Sequence, residues 1–134
     1  MKKLKKILLV DDDETTNYFN QFLIEKIDAA EEVLVALNGE EALQILSSKN
    51  DAGEYANPDL ILLDVNMPIM NGFEFMKAYH KLDKKKKANV VICMLTTSFH
   101  EKDVNTSKEY EEISDYAKKP LSEEKLINII NTHF

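Results

Sequence analysis

The stretch "KKILLVDDDETT", residues 5–16, sets four apolar residues, Ile7 to Val10, directly against three carboxylates, Asp11, Asp12 and Asp13. A short, nearly continuous apolar run of this kind reads as a strand covered on both faces. The same pattern recurs at "LILLD", residues 60–64, which again ends on an acid. A third run, "VVICML", residues 90–95, ends on Thr96 and Thr97. Two weaker runs complete the set: "VLVAL", 33–37, and "ISDYA", 113–117, the latter followed by Lys118, Lys119 and Pro120.

Helical patterns lie between these runs. Phe19, Phe22, Leu23 and Ile27 share one helical face. "NGEEALQIL" opens on Asn38 with Glu41 three residues later, a capping-box arrangement. Phe73, Met76 and Tyr79 share the next helical face. Leu126, Ile129 and Ile130 share the last, with Ser122 as its cap and Glu123 and Glu124 well placed for the helix dipole. Residues 101–112 form the poorest helical pattern, because Val104, Asn105, Thr106 and Ser107 are mediocre helix formers. Residues 47–58 and 83–89 read as surface loops, the second carrying the lysine run Lys84 to Lys87. Strand and helix thus alternate five times, which implies an α/β fold with a parallel sheet and helices on both faces.

The chain's 134 residues are expected to form one domain, 1–134. All 17 basic residues are lysines and the net charge is −7, so bidentate arginine recognition of phosphate or guanine is unavailable and direct nucleic-acid binding is not expected. A single cysteine, Cys93, excludes an internal disulfide and fits a reducing compartment. No apolar run approaches the ~20 residues of a membrane span, and Ile7 to Val10 is too short for a signal-peptide core. The expectation is a cytoplasmic protein with no membrane partner. His80, His100 and His133 lack metal-ligand spacing and read as surface residues.

In an open parallel sheet, ligands bind beyond the carboxyl ends of the strands. If the first and third strands are neighbours, Asp11, Asp12 and Asp64 converge there. Two carboxylates about 5 Å apart repel by roughly 3 kcal/mol at an effective dielectric of ~20. Three such pairs approach ~10 kcal/mol, comparable with the stability of a whole domain. A hard divalent cation with oxygen ligands relieves that repulsion, and Mg²⁺ (or Mn²⁺) is the natural candidate. Such a cation beside one lysine, from Lys118 and Lys119, and one hydroxyl, from Thr96 and Thr97, suits phosphoryl chemistry, with Asp64, alone at its strand end, as the best candidate nucleophile.

The motifs "VDDD", "LILLDVNMPIMNG", "VICMLTTS" and "DYAKKP" resemble the receiver domain of bacterial two-component response regulators, in order and over the whole chain. The resemblance is to the stand-alone, single-domain type. It implies a flavodoxin-like, doubly wound (βα)5 fold with strand order 2-1-3-4-5. It further implies that Asp64 is the phosphoacceptor. Asp11, Asp12, Asp64 and the backbone carbonyl of Asn66 would hold the metal, and Thr96 and Lys119 would contact the phosphoryl group. Pro120 would follow a cis peptide bond and Tyr116 would be the aromatic switch. The implied function is a phosphoacceptor switch in a phosphorelay that assists its own phosphorylation and dephosphorylation, not a turnover enzyme. Its implied donor is a histidine kinase or histidine phosphotransfer protein. Its output would run through the surface of the fourth helix (101–112), fifth strand and fifth helix to a downstream protein, since no output domain follows Phe134. Effector and relay intermediate are both open. Thr97 is bulkier than the family's usual residue there, and Asn66 and Ser98 occupy its two variable positions.

A rival reading takes "LLVDDDET" as the D-x-D-x-T signature of haloacid-dehalogenase-like phosphatases, with Asp11 as nucleophile and Asp13 as acid-base. That family needs a further acidic motif after its lysine, where only Glu123 and Glu124 occur.

Overall fold

Alternate residues of each central strand face opposite ways, and both sets are apolar. Leu8, Val10, Ile61, Leu63, Ile92 and Met94 belong to one buried cluster; Ile7, Leu9, Leu60, Leu62, Cys93 and Leu95 belong to the other. A sheet with this pattern needs helices on both sides, and the computed structural model has them. It describes residues 1–87, 91–97 and 112–134.

The elements in chain order are β1 (Leu4–Val10), α1 (Glu14–Lys26), β2 (Ala30–Ala36), α2 (Gly39–Ser47), β3 (Leu60–Asp64), α3 (Gly72–His80), the single turn α4 (Lys84–Lys87), β4 (Val91–Thr96), β5 (Ile113–Lys118) and α5 (Glu123–His133). The five strands form one sheet in the order β2-β1-β3-β4-β5, all neighbours parallel. This is the flavodoxin-like order. On one face α2 and α3 contribute Ala42, Leu46, Phe75, Met76 and Tyr79. On the other, α1 and α5 contribute Ile24, Leu126, Ile129 and Ile130.

The helix starts are chemically specified. Asn38 accepts from the Glu41 N–H, and its amide donates to the Glu41 carboxylate instead of closing the reciprocal backbone bond. Asn71 and Glu74 form the full capping box at α3. Ser122 caps α5, as expected. No helix among the described residues is long and apolar enough to cross a membrane.

Three sequence expectations change. On α1, Phe19 and Phe22 are 63% and 56% exposed beside the exposed Tyr18, while Asn17 and Asn20 are buried with Ile24. Leu23 and Ile27 pack against the core from its margin. Within the lysine-run loop, Lys84–Lys87 forms a helical turn, with Lys86 over the Tyr55 ring and Lys87 paired to Glu112 at 3.0 Å. His133 is not a free surface residue: its Nε2 lies 3.0 Å from Asp115 on β5. His80 is a surface residue as expected, and its Nδ1 pairs with Glu112 at 2.7 Å. The helical pattern at 101–111, His100 and Ser98 lie outside the described residues.

Candidate functional site

Strand register assembles the site. Val10 pairs with Leu63, so the residues that follow, Asp11 and Asp64, emerge side by side. Asp64 pairs with Leu95 and Thr96 with Lys118, which brings Lys119 to the same end of the sheet. The carboxylates of Asp11, Asp12 and Asp64 each offer an oxygen within 4.8 Å of the others. The Lys119 ammonium bridges two of them, at 2.7 Å from Asp11 Oδ2 and 3.1 Å from Asp64 Oδ1. Asp11 and Asp64 are buried and Asp12 is exposed. The Lys119–Pro120 peptide is cis.

Burial, and after it the neighbouring Asp11 charge, raises the Asp64 carboxyl above its ordinary value against the pull of Lys119. Desolvation works to lower Lys119, but its hydrogen bond to Asp11 and the charges of both acids outweigh that, and its net shift is upward. The lysine is therefore held cationic as the internal counter-ion of a crowded acidic site. Three carboxylates with one ammonium leave excess negative charge, and hard oxygen donors at this spacing fit a divalent cation such as Mg²⁺.

Local contacts hold these groups in place. Asp11 Oδ1 accepts the Asp13 N–H at 2.9 Å, and the Asn17 amide donates to the Asp11 carbonyl at 2.9 Å. The Thr96 carbonyl accepts the Lys119 N–H at 2.6 Å. Thr96 itself is buried at the end of β4, with the exposed Thr97 after it. The chain leaving β3 doubles back tightly. Gly72 donates to the Val65 carbonyl at 2.9 Å, and a Cβ on Gly72 would lie 2.6 Å from the Asp64 carbonyl oxygen. Within that turn Ile69 takes φ 67°, an unusual conformation for a β-branched residue, and Asn66 is exposed. Tyr116 pairs in register with Met94, outside the acidic cluster, and is 44% exposed. An apolar groove of about 450 Å³ opens beside Lys119, lined by Phe19, Phe22, Leu23, Leu95, Pro120 and Leu121 among others.

Asp13 does not join the other acids. It caps α1, accepting from the Thr15 N–H at 3.0 Å and the Thr16 hydroxyl at 2.9 Å. The Thr16 bond first, and then that from Thr15, holds its carboxyl below the usual range. A carboxylate stabilised in its charged form as a helix cap is poorly suited to the acid-base role that the phosphatase reading gives it. Glu123, one of the two acids available to that reading, is paired with Lys26 at 2.7 Å. Sequence reasoning passed over Asn17, whose only signal was an asparagine one turn after the acids, and Lys125, considered below.

A family model described as the response regulator receiver domain matches residues 7–131. Protein PilH of Pseudomonas aeruginosa is 30% identical over 131 residues, covering 96% of this chain and 96% of that protein. Two-component response regulator 24 of Arabidopsis thaliana is 32% identical over 126 residues, covering 92% and 80% respectively. Among solved structures, a two-component response regulator from Cytophaga hutchinsonii matches with a TM-score of 0.84 at 28% identity, over 98% of this chain and 97% of that one. Chemotaxis protein CheY4 of Vibrio cholerae matches with a TM-score of 0.80 at 28% identity, over 98% and 99%.

Proposed function

The chain belongs to the response regulator receiver domain family, and we propose that Asp64 is its phosphoacceptor, served by Asp11, Asp12, Thr96 and Lys119. The observation that carries this reading is the convergence of three carboxylates within 4.8 Å with Lys119 bridging Asp11 and Asp64. A divalent cation, Mg²⁺ or Mn²⁺, held by Asp11, Asp12, Asp64 and the Asn66 carbonyl supplies charge neutralisation for phosphoryl transfer.

The remaining chemistry falls to the chain's own groups. An Asp64 carboxylate oxygen attacks the donor's phosphorus, and the bond from phosphorus to the donor's leaving group breaks, its electron pair departing with that group. The Lys119 ammonium exchanges its contact with Asp64 for one with a phosphoryl oxygen, and the Thr96 hydroxyl donates to another. Tyr116 and the surface of β5 and α5 then report the change to a partner protein. Receiver domains take their phosphoryl group from histidine kinases or phosphotransfer proteins. The groove beside Lys119, edged by Phe19 and Phe22, offers such a donor a surface contiguous with the acceptor. In this reading the protein is a cytoplasmic switch, without substrate turnover.

The test is incubation with Mg²⁺ and acetyl phosphate. One phosphoryl group should appear by mass and be released by hydroxylamine, because an acyl phosphate is a mixed anhydride. Chelating the metal or substituting Asp64→Asn should prevent labelling. Label that persists in Asp64→Asn and maps to Asp11 would overturn the assignment. So would failure to label with both small donors and phosphorylated histidine proteins.

A further inference from the structure

Lys119 reaches Asp11 and Asp64 from the short connection between β5 and α5, and that connection has its own brace. The Lys125 ammonium, from the first turn of α5, turns back to donate to the Lys118 carbonyl at 2.8 Å and the Pro120 carbonyl at 2.9 Å. These two carbonyls flank Lys119 in sequence. The Lys125 N–H donates to the Ser122 hydroxyl at 3.2 Å, so the cap of α5 fixes the backbone from which the brace extends. The Lys119 N–H is itself tied to the Thr96 carbonyl. The backbone on both sides of Lys119 is therefore clamped by one side chain, and its centre by β4.

The placement of this lysine is informative. The first turn of a helix favours acids and disfavours cations, because the N–H groups there carry the positive end of the dipole. Glu123 and Glu124 follow that rule and Lys125 breaks it. Among the described residues Lys125 forms no salt bridge that would compensate, and its ammonium is directed to carbonyls instead. Both bonds are solvent-exposed, and it is the charged donor that makes them stronger than neutral hydrogen bonds.

We propose that Lys125 is a positioning residue, which aims Lys119 at the phosphoryl site by clamping the backbone on either side of it. The inference rests on the reading of Lys119 as the phosphoryl-contacting lysine. Lys125 touches neither acid and takes no part in bond making. Its contribution is to limit the arc through which the Lys119 ammonium swings, and reactions of this kind are sensitive to displacements of about 1 Å.

Two measurements test this. The first is the rate of Asp64 labelling by acetyl phosphate with Mg²⁺ in a double-mutant cycle. Lys125→Met keeps the apolar stem and should slow labelling by roughly tenfold, with Lys125→Arg recovering part of the rate. In a Lys119→Met background, Lys125→Met should have no further effect. An equal loss in both backgrounds, or no loss in either, would overturn the proposal. The second measurement needs no phosphorylation: solvent protection of the Lys119 ammonium protons, read by nitrogen-15 NMR. Protection should fall in Lys125→Met, and unchanged protection would refute the brace. Wild-type protein that resists labelling would refute the acceptor assignment, and loss of Lys119 protection would still uphold the brace.

Discussion

Replacing Gly72 with alanine should destabilise the protein by about 1–2 kcal/mol, although alanine is ordinarily the better helix residue. Gly72 opens α3 and is buried. An added Cβ would stand 2.6 Å from the Asp64 carbonyl oxygen, 3.1 Å from Val65 Cα and 3.1 Å from Met94 Cε, where ordinary contact begins at 3.4 Å. The methionine tip can yield. The other two atoms are backbone, and the Gly72 N–H bond to the Val65 carbonyl holds them close. Overpacking of this kind costs ~1–3 kcal/mol, and relief of glycine's chain entropy returns ~0.5–1 kcal/mol. The net loss should lower the urea midpoint at constant m-value. Because the displaced carbonyl belongs to Asp64, labelling from acetyl phosphate should slow as well. Gly39→Ala is the control. Its Cβ would meet Met70 Cγ at 2.8 Å, Met70 Sδ at 3.0 Å and Phe75 Cβ at 3.0 Å; the flexible thioether can swing aside, so that only the Phe75 contact must give by a few tenths of an ångström. Its loss should be smaller than that of Gly72→Ala, at the low end of the ~1–3 kcal/mol overpacking range before the entropy gain. A Gly72→Ala protein as stable as wild type and fully labelled would show that the close approach constrains nothing.

Asp12→Asn should leave metal-free stability equal or improved, since one repelling charge is removed, and should abolish the rise in melting temperature on adding Mg²⁺; a large loss without metal would make Asp12 structural. Burial, followed by the Asp115 charge, pushes the Cys93 thiol up to about 12 from 9.0. The unfolded thiol releases its proton first, so this contribution to stability is intact below pH 9 and is lost between pH 9 and 12, by up to ~4 kcal/mol. The urea midpoint measured across that range should fall less steeply in Cys93→Ala, and native Cys93 should resist alkylation at pH 8. Ile69→Asn should stabilise by about 1 kcal/mol, because asparagine tolerates the left-handed conformation better; thermal unfolding that shows a loss would mean the exposed isoleucine makes a contact worth more than its strain.

The parts of the fold legible in the sequence are those governed by burial on both faces. Ile7 to Val10, Leu60 to Leu63 and Ile92 to Leu95 could hardly be anything but central strands, and their order fell out of the family resemblance. The acids were legible because each closes such a strand, so topology alone carries them together. On α1 the periodicity misled. Asn17 turns inward because its amide serves the Asp11 carbonyl, an obligation that no hydrophobic pattern encodes, and with Asn20 also facing inward the aromatic residues lie outside. The turn at Lys84–Lys87 was hidden for a related reason. Four adjacent lysines oppose a helix locally, whereas Glu112 and Tyr55, distant in sequence, provide partners for Lys87 and Lys86. Lys125 left only the faint mark of a cation in an acid-favoured helical turn, since its acceptors exist only once β5 and α5 are in place.

The aromatic ridge of Tyr18, Phe19 and Phe22 also bears on how molecules of this protein meet one another in solution. Each ring can gain roughly 1.5–3 kcal/mol if covered, yet each copy carries a net charge of −7. Mutual repulsion therefore acts as a colloidal barrier over an adhesive surface. That barrier vanishes near the isoelectric point of about 5.0 and is shortened to a range of ~3 Å in 1 M salt. Light scattering should find a monodisperse solution at neutral pH and low salt, with attraction between copies setting in as either limit is approached. Phe19→Lys, although it makes the net charge less negative, should delay that onset in salt, because it breaks the ridge itself.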